Sequence, residues 1–152
     1  GIRRRWQLHC PTKPEIGDRL ITVTNEAPDK AWADPKLKPA HRRGRLFCRT
    51  LAPQRYTVLL HANGTAGAFD ASGRPKNGAA GNPYHLKYGT NVIQVDPCSD
   101  TDRTVFLHVL TATDAAGAEP PPASVRLIEP GRAAVAVGDA QTVITVPAWF
   151  TP

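Results

Sequence analysis

The sequence predicts an all-β protein, an antiparallel β-sandwich of roughly nine short strands. Three observations lead there. Runs rich in Val, Ile, Leu, Thr and Phe recur at short intervals, and the 15 Pro and 12 Gly fall mostly between them, the punctuation of a sheet protein with many turns. Helical periodicity is nearly absent, since no capped window of about ten residues carries apolar positions at i, i+3, i+4 and i+7. The 152 residues, 41% of them hydrophobic, are enough for a single domain, 1–152, with a real core.

Strands are expected at 3–9, 19–24, 45–51, 56–61, 91–96, 104–113, 124–129, 133–137 and 141–146. The first alternates cleanly, with Arg3, Arg5, Gln7 and His9 on one face and Arg4, Trp6, Leu8 and Cys10 on the other. A chain that opens inside a strand with a Trp already committed to a core reads as the C-terminal part of a larger protein. The next four, RLITVT, RLFCRTL, YTVLLH and NVIQVD, are short runs of strand composition. In 104–113, Phe106, His108, Leu110 and Ala112 share one face, and Val105, Leu107, Val109 and Thr111 the other. Both faces are largely apolar, which predicts a central strand. A stiff Glu-Pro-Pro-Pro connector at 119–122 leads into the last three strands, which end on the β-prone TVITV at 142–146.

The loops carry signals of their own. Asn63-Gly64 is a turn dipeptide, and with Thr65 it forms an N-x-Thr sequon, a glycan acceptor at Asn63 if the chain is exported in a glycosylating host. Residues 70–83 have the composition of a long exposed loop. No stretch approaches the roughly 20 apolar residues of a membrane span.

The net charge of +6 implies affinity for polyanions. Basic residues cluster at Arg3-Arg4-Arg5 and over 36–49, where Lys36, Lys38, Arg42, Arg43, Arg45 and Arg49 make the candidate anion-binding set. Such a cluster also serves as an ordinary solvated face. No recognition helix, zinc-finger spacing or glycine-aromatic RNA motif accompanies the charge, so nucleic acid is the weaker partner and acidic polysaccharide the better one. The three cysteines, Cys10, Cys48 and Cys98, have no CxxC spacing and so do not indicate a thiolate zinc site. Either one disulfide with one buried thiol, in an exported protein, or three buried thiols is consistent with their positions in or beside strands.

Taken in order, RRRWQLH, IGDRLITVTN, GRLFCRTLAP, NVIQVDP and FLHVL resemble the C-terminal β-sandwich of heparinase II/III-like polysaccharide lyases over about residues 3–110. The resemblance implies a secreted, extracellular or periplasmic protein in which a helical toroid abuts β-sandwich layers. Acidic polysaccharide is there cleaved by β-elimination: a base abstracts the proton α to the uronate carboxyl, and a Tyr serves as acid or base. The family's catalytic Tyr, His and Asn or Arg lie upstream of the part matched here, so no catalytic residue is carried over. In the family pattern matching RRRWQLH the final His is one of three zinc ligands, which implies a metal role for His9 together with ligands on earlier strands. No cofactor is expected for this chain by itself.

A lyase needs a base, a proton donor and a group to neutralise the carboxylate. The remaining histidines and tyrosines do not assemble such a set in sequence. Tyr84 and His85 are adjacent and point to opposite faces of a strand. His41 lies in the basic segment, His61 borders a turn and is expected in solvent, and His108 is expected to pack in the sheet with one nitrogen on a backbone carbonyl. The leading expectation is a non-catalytic accessory sandwich of an acidic-polysaccharide lyase-like protein, binding acidic glycan. The alternative is an extracellular structural module that packs or polymerises by strand addition between copies, with either the parent's N-terminal part or a second copy completing the first strand.

Overall fold

In the computed structural model the backbone is described for residues 4–10, 12–25, 44–61, 91–98, 103–114 and 119–152. Ten strands lie within them: β1 (Trp6–Cys10), β2 (Glu15–Ile16), β3 (Leu20–Asn25), β4 (Gly44–Ala52), β5 (Tyr56–His61), β6 (Asn91–Pro97), β7 (Leu107–Thr113), β8 (Ala123–Glu129), β9 (Arg132–Val137) and β10 (Ala140–Thr145). All nine expected strands form, with ends shifted by a few residues. The addition is β2, two exposed residues too few to show a period of two. Among the described residues there is no helix, and so none long and apolar enough to cross a membrane.

The strands form three antiparallel sheets, ordered β1-β6-β5, β2-β3-β4-β7 and β10-β9-β8. The first two face each other across one core. Cys10, Ile93 and Val95 come from one sheet and Ile21, Val23 and Cys48 from the other, with Trp6, Leu8, Leu46, Val58 and Leu60 closing around them. These positions alternate along each strand, because successive side chains point to opposite faces. Ile93 is fully buried, and a side chain so placed is worth about 2–5 kcal/mol over Ala. The third sheet packs through a second cluster, Ala52, Ala133, Val146 and Phe150, flanked by Val105, Leu107, Val125 and Ile144.

The hairpins follow from local chemistry. Pro130-Gly131 joins β8 to β9, with Gly131 at φ +88° where a β-carbon would be strained, and Glu129 pairs with Arg132 across the turn. Gly138, at φ +56°, does the same for β9 and β10. The β2–β3 turn is less usual: its left-handed residue is Arg19, at φ 55°.

One expectation is corrected. Among the described residues the strand expected to be central, now β7, lies at the end of its sheet with β4 as its neighbour, and Leu110 is 56% exposed. β6, between β1 and β5, is instead buried along Asn91–Val95 on both faces, Gln94 included. Alternating apolar content reports what a strand can bury, not which neighbours it acquires. The first strand, expected to be completed by another chain, stands among the described residues at one edge of its sheet. Within the chain β1 pairs with β6 over its whole length, from Trp6 opposite Val95 to Cys10 opposite Asn91. Arg5, just before it, holds Asp96 at 2.8 Å.

Candidate functional site

The chain passes from one sheet to the other between β4 and β5, through Pro53, Gln54 and Arg55, and Arg19 holds that corner. Its Nε donates to the Thr50 carbonyl at 3.1 Å, Nη2 to Leu51 at 2.9 Å and Nη1 to Gln54 at 3.4 Å. Its own carbonyl accepts from the Thr50 amide at 3.0 Å. The left-handed backbone at Arg19 is thus fixed by four contacts to one corner. A guanidinium is suited to this because its donors lie in one rigid plane.

Beside the corner is an open cleft of about 440 Å³, lined by Asp18, Arg19, Gln54, Arg55, Tyr56 and Cys98 among others. The Cys98 amide donates to the Arg55 carbonyl at 3.0 Å, tying the end of β6 to the start of β5. The Arg19 guanidinium carbon sits 6.0 Å from the centre of the Tyr56 ring. Arg55 is exposed, so its charge faces solvent while that of Arg19 is partly spent on carbonyls. Among the described residues that line it, two guanidiniums stand against one carboxylate beside an aromatic, a combination suited to an anionic, hydroxyl-rich ligand.

A second constellation is buried between the sheets. His108 on β7 stacks on Trp6, ring centroids 4.0 Å apart and planes at 28°, with Phe106 at 6.3 Å on the same strand face. Its Nδ1 lies 3.1 Å from the Thr50 hydroxyl, its register partner on β4, and 3.9 Å from the Cys48 thiol. Nε2 is buried with no hydrogen-bond partner among the described residues. Burial pulls the imidazole down to about 4 and pushes the Cys48 and Cys10 thiols up to about 11. The three side chains resemble a nucleophile-base pair in outline, but a thiol that stays protonated in a closed core is a packing group. The hydrogen-bond partner expected for His108, a backbone carbonyl, is replaced by a side-chain hydroxyl because Thr50 stands directly across the ladder.

Of the expected anion-binding set, Arg45 and Arg49 stand on β4, in the interior of its sheet, on the strand face that also carries buried Phe47. Both are half-buried, and the Nε of Arg45 is buried without a hydrogen-bond partner among the described residues. Lys36, Lys38, Arg42 and Arg43 lie outside the described residues, as do Asn63, His41, Tyr84, His85, Tyr88 and the loop 70–83. His9 is exposed on β1 opposite Val92. Among the described residues no group of three or more His, Cys, Asp or Glu is placed to hold a metal ion. His61, expected in solvent, is half-buried with Nε2 2.9 Å from the Gln94 amide oxygen. All three cysteines are free, Cys10 and Cys48 buried and Cys98 exposed, which is neither arrangement expected.

No protein-family model matches the chain, and no curated protein matches it. The cleft was missed in sequence because its two arginines lie in different segments, at a turn of β3 and ahead of β5. The one local signal is Gly17-Asp18, a turn dipeptide directly before Arg19.

Proposed function

We propose that the chain is a non-catalytic accessory β-sandwich of a heparinase II/III-like polysaccharide-lyase type protein and that it binds acidic glycan. The observation that carries this reading is the cleft of Arg19, Arg55 and Tyr56. A uronate carboxylate or sulfate meets the exposed Arg55, sugar hydroxyls meet Tyr56 and the Gln54 amide, and Arg19 keeps the corner in shape. The ordered segments from RRRWQLH to FLHVL and the net charge of +6 support the same reading. Arg45 and Arg49, with the lysines and arginines that precede them, supply a second positive region that draws polyanions by long-range attraction.

Titration with heparin and alginate oligosaccharides tests it. Arg55→Ser removes an exposed charge without touching the corner, and affinity should fall about fivefold or more with a shallower salt dependence. Arg42, Arg43 and Arg45 exchanged together for Ser should slow association and reduce retention on an acidic-glycan column. Failure of the native chain to bind either oligosaccharide overturns the reading. Unchanged affinity in Arg55→Ser moves the site away from the cleft.

A further inference from the structure

The third sheet ends on an unguarded edge. β10, AQTVIT, carries no charge and no Pro, and Ile144 is its one residue that is not exposed. The opposite edge of the same sheet, β8, carries Arg126, Glu129 and a register irregularity between Leu127 and Glu129, devices that discourage another strand from adding there. β10 has β9 as its sole ladder neighbour among the described residues.

The direction of its free backbone groups follows from the register. Ala140 pairs with Val137 next to a two-residue turn, and past the end of the strand the Val146 amide donates to the Gly131 carbonyl at 2.9 Å. Antiparallel pairs alternate between hydrogen-bonded and non-hydrogen-bonded, so Ala140, Thr142 and Ile144 bond to β9. Gln141, Val143 and Thr145 therefore direct their N–H and C=O groups outward.

We infer that this edge pairs with the same edge of a second copy of the chain, antiparallel about a two-fold axis through Val143. The axis must be perpendicular to the sheet, because only that operation keeps each copy's core face on the same side. Directly opposed residues must then share a face, so their numbers differ by an even count. With Val143 opposite the partner's Val143, Gln141 meets the partner's Thr145 and Thr142 meets the partner's Ile144. Every outward N–H and C=O of the three residues finds a partner, whereas an axis at Thr142 leaves Thr145 unmatched. The side chains agree, since β-branched residues face each other at the centre and no like charges meet. The result is one continuous six-stranded sheet, β8-β9-β10 and its two-fold mate.

This is independent of the glycan reading, and the two respond oppositely to salt. Each copy carries +6, so added salt should strengthen self-association while weakening glycan binding. Sedimentation of the full chain from about 1 to 300 µM is expected to show a species of twice 16.4 kDa, with a dissociation constant in roughly the micromolar range. Val143→Lys places two like charges on the axis at an exposed position and should raise that constant at least about tenfold. Val143→Pro removes an outward N–H that β9 does not use, and should do the same. Ser124→Lys, on the β8 edge, should leave association unchanged. Far-ultraviolet dichroism identifies any variant that fails to fold, and the other Val143 variant then decides. A native chain monomeric throughout, association undiminished in a folded Val143 variant, or association lost in Ser124→Lys would overturn the pairing. None of these outcomes alters retention on acidic glycan, since Val143 is outside the cleft.

Discussion

His108 of β7 lies flat against Trp6 of β1, with ring centroids 4.0 Å apart, so the two facing sheets are joined by a stacked pair whose one titratable member is held neutral. Residues 102 positions apart thereby set how the sandwich responds to acid. The stacking also places Trp6 on its own chain, half-buried within the main core.

Acid should weaken the fold through this pair. His108 has its proton affinity lowered by burial, from 6.5 to about 4. Between those values the unfolded chain binds the proton more readily than the folded one. Stability from this group is therefore complete above about pH 6.5 and is lost as pH falls toward 4, where the loss levels off. Allowing for partial solvent access, the difference should be on the order of 2 kcal/mol. Urea unfolding at pH 7.5 and at pH 4.5 measures it. His108→Gln should remove that part of the pH dependence, and an unchanged dependence would place its origin elsewhere.

Arg19 should matter more for its side chain than its backbone conformation suggests. Arg19→Ala removes three donors from the carbonyls of Thr50, Leu51 and Gln54 and keeps a β-carbon at φ 55°, which should cost about 2–3 kcal/mol. Arg19→Gly loses the same donors but relieves the left-handed residue, and should be less harmful than Ala by about 0.5–1 kcal/mol. Equilibrium denaturation of the pair tests this. Equal losses would mean that the turn adapts to either residue.

The thiols should separate by burial. Cys98 is exposed and should react with a chromogenic disulfide in the native protein. Cys10 and Cys48, with thiols pushed up to about 11 by burial, should react only after unfolding. Stoichiometry before and after denaturant gives the answer directly.

On acidic polysaccharides this chain by itself should produce no unsaturated uronate. The imidazole of His108 is stacked under Trp6, and the described residues that line the cleft offer guanidiniums, a carboxylate and a phenol and include no imidazole. Ultraviolet absorbance against a panel of uronate polymers checks it, and sustained turnover would place a base in the cleft.

The all-β class, nine of the ten strands and the inward positions of Trp6, Leu8 and Cys10 were legible in the sequence. A period of two and the Pro and Gly between runs are local properties, and they survive whatever the neighbours are. Tertiary structure alone decided what lies beside what. It put β6 rather than β7 at the centre of a sheet, and brought Arg19 to the β4–β5 corner and thus to Arg55 and Tyr56. It also set His108 between Trp6 and Thr50. Each of these pairs elements far apart in the chain, and the choice is made by how two apolar faces fit and which carbonyls remain unpaired at a corner. No residue's own pattern contains that information, because a strand's alternation fixes which side chains turn inward and leaves open what they will meet.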